Sequence, residues 1–171
     1  MALTFTYASP AATDVKTLSV YVRTPADTTD DYDYTTSTWT AVQTAFIKIG
    51  DFAGDGLPTF TSAANETLDT NESGEIPLTQ TFTFTGNMFC TSKANYDGMK
   101  AAEGSQCDII LMNADDFTTP TALDEYEVIK NVKLNFDLNG ASKSVRQLNL
   151  NISKNVAQKS DVYEIAVITA P

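Results

Sequence analysis

The chain has no histidine and only two cysteines, Cys90 and Cys107, among its 171 residues. Without an imidazole there is no Ser-His-Asp triad, no histidine-bearing zinc site and no proton shuttle of the usual kind near neutral pH. The two thiols have no further soft ligand or base beside them, so a zinc centre or a cysteine enzyme lacks its partners. Basic residues are scarce: 11 Lys and Arg stand against 22 Asp and Glu, a net charge of -11. A surface of that sign repels phosphate and excludes a whole-protein grip on nucleic acid. No apolar run approaches the roughly 18 to 20 residues that a membrane-spanning helix needs. The start, Met1 to Phe5, has neither a charged n-region nor an apolar h-region. Synthesis and residence in a cytosol are therefore expected, with both thiols reduced and buried, a disulfide between them being the minority reading, and the sequons at Asn65, Asn71 and Asn151 without meaning.

Glycine (8) and proline (6) are modest in number, while threonine occurs 25 times. So much β-branched polar side chain favours strands over helices. An apolar content of 42% is that of a packed core rather than a disordered acidic tail. The length suits one domain, residues 1–171. Charge is uneven within it: residues 1–75 hold 11 acids and three bases (Lys16, Arg23, Lys48), and the remainder holds 11 acids and eight bases.

Alternation in Leu18-Ser19-Val20-Tyr21-Val22-Arg23 predicts a first strand. Thr24 to Thr38, with Asp27, Asp30, Asp31 and Asp33, reads as a solvated acidic loop. Trp39 to Ile49 is a second apolar run, taken as a strand. Residues 51–76 have few large apolar side chains and read as a long loop, of the kind that is usually functional or mobile. Leu78 to Phe89 carries Thr at alternate positions opposite Phe82 and Phe84, a long strand with one wet face. Ser92 caps a predicted helix over 93–103, with Gly104 as its stop. Asp108 to Met112 is a buried strand, and Tyr126 to Leu138 a further strand of one parity. Asn139-Gly140 is a strong hairpin signal, leading to a return strand through Leu148, Leu150 and Ile152. Val162 to Thr169 is the last strand. The sum is a mainly β domain with one short helix.

Candidate chemistry is thin. The run Asp27 to Asp33 lacks the turn glycine and late glutamate of a calcium loop. The pairs Asp115-Asp116 and Asp124-Glu125 lie in Thr- and Pro-flanked loops, where solvated charge is a simpler reading than acid–base catalysis. Gly54-Asp55-Gly56 opens no helix and cradles no phosphate. No catalytic, cofactor or metal site is expected, and the chain is read as a non-enzyme.

Taken in order, two N-terminal strands, a long polar loop, a Thr-rich strand ending Phe-Thr-Gly-Asn-Met-Phe, the helix Asn95 to Gly104, the strand Cys107 to Met112 and the Tyr126 to Val156 hairpin resemble the tail tube proteins of tailed bacteriophages and the related tubes of contractile injection systems. The resemblance covers most of the chain and rests on element order, length and loop placement. It implies a fold class of mainly β, two packed antiparallel sheets, sandwich- or barrel-like, with one short flanking helix. It also implies a homo-oligomer of hexameric rings stacked into a hollow virion tail, bound to other tail proteins, with viral DNA passing through the lumen without specific binding. It makes the loop at 51–76, with Phe52, Leu57, Phe60, Leu68 and Ile76, a candidate inter-ring contact. The first two strands and the Asn-Gly hairpin become candidates for the lumen wall, and Asp27, Asp30, Asp31 and Asp33 candidate lumen or loop acids. The alternatives are a tail terminator, neck connector or capsid decoration protein, or a carbohydrate-binding β-sandwich using Trp39, Tyr32 and Tyr34.

Overall fold

The computed structural model describes residues 18–23, 38–52, 58–70, 74–90, 93–122, 124–142, 145–158 and 161–168. The chain order is β1 (Leu18–Arg23), α1 (Trp39–Ala45), β2 (Ile47–Phe52), β3 (Thr59–Thr70), β4 (Gly74–Cys90), α2 (Lys93–Ala102), β5 (Gln106–Asn113), α3 (Ala114–Thr118), β6 (Glu125–Lys133), β7 (Phe136–Ser142), β8 (Val145–Val156) and β9 (Tyr163–Val167). The fold is mainly β and antiparallel. Hydrogen bonds link the strands into one path, β7-β8-β4-β2-β1-β5-β6-β9, with β3 on β4.

That path bends so that its two halves face each other. Phe82 and Phe84 of β4 and Leu148, Leu150 and Ile152 of β8 share one core with Val20 and Val22 of β1, Ile109 and Leu111 of β5, and Ile129 of β6. The layers expected of a sandwich are thus made by a single sheet. The 17-residue strand β4 lets this happen: β3 and then β2 occupy successive stretches of one edge, and β8 runs along the other. The seam on the far side brings β3 to β9, where the Phe60 and Tyr163 ring centroids are 4.8 Å apart.

The outer face of β1-β5-β6 is buried as well. Tyr21, Ile110, Met112, Tyr126 and Val128 form a second core with Trp39, Val42 and Phe46 around α1, and Phe117 of α3. Trp39 Nε1 donates to the Phe117 carbonyl at 3.0 Å, and Tyr21 stacks on Phe117 at 3.7 Å. Helix α2 packs Met99 into the first core, and the Gly104 N–H donates to the Leu134 carbonyl at 2.8 Å. Gly104 has φ +78°, the left-handed turn that a glycine stop supplies at least cost.

Several boundaries differ from the sequence reading. Trp39 to Ile49 is a helix followed by a strand. Thr38 caps the helix, its side chain accepting from the Ala41 N–H, and Trp39 and Val42 share the buried face at i,i+3 spacing. The expected loop at 51–76 contains β3, paired to β4 from Thr59 opposite Thr85 to Thr70 opposite Gly74. Its outward positions from Thr59 to Asn65 face water, so it needs few large apolar residues and hides from a hydrophobicity scan. Tyr126 to Leu138 is two strands, since the chain leaves β6 at Leu134 and crosses to pair with β8. Within β6 an extra residue at Lys130-Asn131 flips the parity, with Asn131 at φ 52°. Tyr126 and Val128 therefore face the helices, whereas Ile129 and Val132 face the inner core. Asn139-Gly140 falls where β7 gains one residue on β8, a bulge, and the pairing continues to Ser142 opposite Val145. The single helix is joined by α1 and α3. Among the described residues no helix is long and apolar enough to cross a membrane.

Candidate functional site

The broadest chemical feature is a polar sheet face. On β4, Thr79, Thr81, Thr83, Thr85 and Asn87 alternate with buried Phe82, Phe84 and Met88. Strand register sets these against polar partners in rows: Thr61–Thr83–Ser153, Thr59–Thr85–Asn151 and Ala63–Thr81–Asn155. Asn87 faces Asn149, which in turn faces Asp137 of β7. The three central rows across β3, β4 and β8 carry hydroxyls, amides and one methyl, and charge returns at their borders, with Glu66 opposite Thr79 and Asp137 opposite Asn149. Residues of one strand repeat on it about every 6.7 Å, twice the rise per residue.

Side-chain hydrogen bonds cross the face in the row through Thr81. Thr81 Oγ1 lies 2.8 Å from Asn65 Oδ1 and 2.9 Å from Asn155 Oδ1, and Asn65 Nδ2 donates to Asn155 Oδ1 at 3.4 Å. These bonds tie β3, β4 and β8 together on the outside while the aromatics do so on the inside. In so acidic a protein, the absence of charge from these central rows sets the face apart.

Of the residues expected to matter, Phe52 is 2% exposed, packed under Gly86, and has no surface to offer a neighbour. Phe60 is half-buried in the aromatic seam with Phe82, Phe84 and Tyr163. Leu68 and Ile76 are register partners in the β3–β4 hairpin, so they belong to paired strands rather than to a loop. Leu57, Asp27, Asp30, Asp31, Asp33, Tyr32 and Tyr34 lie outside the described residues. Strand β1 cannot line a lumen, because Val20 and Val22 on one side and Ser19 and Tyr21 on the other are all buried. Trp39, at 3% exposure, offers no sugar platform.

Buried polar groups are committed to structure. Arg23 and Asp108 form an ion pair at 3.2 Å, and Asp108 Oδ1 also accepts from the Asn131 N–H at 2.8 Å. Lys154 sits at an inward-facing position of β8 and donates to the Asn131 carbonyl at 2.6 Å. Burial lowers its pKa, opposed by the nearby charges of Asp108 and Asp161. Ser19 donates to Asp51 at 2.5 Å, and Lys48 reaches the same carboxylate oxygen at 2.7 Å. The paired acids find local roles: Asp115 and Asp116 occupy the first turn of α3, capped by Asn113, and Asp124 accepts from the Thr121 N–H at 2.6 Å. Cys107 is free and fully buried, and burial with Asp108 nearby pushes its thiol up to about 12, far from a reactive thiolate. Among the described residues no three metal-ligating side chains gather.

The hidden signal in the sequence was β3. Its Thr59-Phe60-Thr61 echoes the alternation of β4, and that echo marks the pairing that extends the polar face. No family model matches this chain, and no curated protein matches it either.

Proposed function

We propose that this protein is a structural subunit of a virion tail tube, assembling as hexameric rings that stack around a lumen through which DNA passes during ejection. The observation that carries the reading is the uncharged polar centre of the β3–β4–β8 face, bordered by the acids Glu66 and Asp137. A conduit must stay wetted yet give a polyanion nothing to grip. Hydroxyls and amides hold water at the wall, and the absence of Lys and Arg from the face leaves no counterion-releasing contacts to hold phosphate. The protein's overall negative charge works in the same direction. On this reading the lumen wall is the β3–β4–β8 face, and the strand edges at β7 and β9 serve assembly rather than standing open to aggregation.

The partners are then other copies of the chain, other tail proteins, and viral DNA in transit without specific binding. The subunit is made in the host cytoplasm and resides in the tail. Electron microscopy of the purified protein over a range of concentrations tests the proposal. Hollow six-fold rings or tubes support it. A stable monomer at high concentration overturns it, and closed rings that never stack point instead to a terminator or connector.

A further inference from the structure

Three large apolar side chains stand in solvent among the described residues: Ile47 at 72% exposure, Ile165 at 60% and Val167 at 39%. They form two separate patches. Ile165 borders a cleft of about 230 Å³ whose walls include Leu18, Leu111, Glu125 and Glu127, and Val167 is the register partner of Glu125 at its edge. Leu18 opens β1 at that end. Ile47 is paired with Val22, near the other end of the same strand, and the exposed Lys48 follows it.

The cleft is an unfinished piece of core. Ile129 and Tyr163 lie on the same side of β6 and β9 as Glu127 and Ile165, and they are covered by the opposing half of the sheet. Ile165 and Val167 continue that face beyond the cover. What remains is an apolar slot with the exposed carboxylate of Glu125 beside it, Glu127 being engaged with Tyr163, and this suits an apolar side chain accompanied by a cation.

The geometry points to a second copy of this chain as the occupant, with Ile47 of one copy seated against Leu18 and Ile165 of the next and Lys48 directed to the exposed Glu125. Ile47 and Lys48 supply that apolar-plus-cation combination on the protein's own surface. Charge favours the match, since two copies at -11 repel unless an interface brings opposite charges together locally. The existing Lys48–Asp51 pair is at the surface and offers little resistance. Knob and cleft lie toward different ends of β1, and repeated head-to-tail, as the tube reading requires, such a contact closes into rings or extends into filaments. This assignment rests on the self-assembly proposed above.

Sedimentation velocity of the full chain across a concentration series tests it, using I47D, I165D, K48E, E125K and the double variant K48E/E125K. Melting of each variant reports the fold. We expect about tenfold weaker association for each single variant. The double variant regains wild-type association, because the reversed charges meet again between copies. Ile47 is so exposed that I47D keeps the fold even if I165D does not. Wild-type association in I47D, or no recovery in the double variant, overturns the knob-in-cleft contact while leaving the tube reading standing. A wild-type protein that stays monomeric at millimolar concentration overturns both.

Discussion

Arg23, the last residue of β1, and Asp108, its direct register partner on β5, form an ion pair with Nη2 3.2 Å from Oδ2 and side chains only 10% and 6% exposed. A pair so placed is stabilising only while both members are present, because either alone is a desolvated charge. Asp108→Leu is expected to cost about 3–5 kcal/mol, while the double variant R23M/D108L costs less than D108L alone. Some loss persists in both, since the Asn131 N–H also gives up its acceptor. Chemical denaturation of the three proteins checks the ordering.

The seam that closes the bent sheet is aromatic. Phe60 of β3 touches Tyr163 of β9, and Phe82 lies behind both. A double-mutant cycle with F60A and Y163A is expected to return a coupling of about 0.5–1.5 kcal/mol. A value near zero would mean the two edges do not meet in solution.

Gly86 interrupts the buried stripe of β4 because Phe52 fills the space a side chain would take. A Cβ there would lie 2.4 Å from Phe52 Cε1. Gly86→Ala is expected to destabilise by about 1–3 kcal/mol through overpacking. Adding Phe52→Leu should recover part of that loss, as read from thermal or denaturant midpoints.

The Cys107 thiol ionises near 9 when free and is pushed up to about 12 in the fold. As pH rises through that window the unfolded chain gives up its proton while the folded chain keeps it. The unfolded state then binds fewer protons, so stability falls with rising pH. Tyr21 and Tyr163, both raised chiefly by burial, add to the fall from about 10 upward. Urea midpoints measured between about pH 8 and 10.5 should decline, and less steeply in C107A. Thiol reagents should label Cys107 only after denaturation.

The polar face permits a direct test of its proposed neutrality. Thr61 and Ser153 are exposed and share a row across Thr83, so arginine at both sites adds charge without touching the core. The T61R/S153R variant should keep its fold to within about 1 kcal/mol. Its assemblies should retain DNA with a steep salt dependence that wild-type assemblies lack, as read by co-sedimentation at several salt concentrations. Equal DNA retention by both would remove the face from the lumen.

Local patterning made much of the fold legible. Leu18–Arg23, the Thr/Phe alternation of β4, the helix ending at Gly104 and the run before Asn113 all announce themselves, because side-chain parity and a glycine stop are properties of a few consecutive residues. Three things were not legible in this way. Strand β3 needed its partner β4, since a mostly polar strand has no apolar period of its own. Asn139-Gly140 suits a tight turn or a bulge equally, and the choice between them depended on how far β7 continues along β8. The joining of two half-sheets into one bent path, which leaves Ile165 beside an open cleft and Thr83 in an uncharged row, depends on contacts between residues far apart in sequence. Periodicity says which side of a strand is apolar; only the packing of distant strands says what that side meets and where the cover ends.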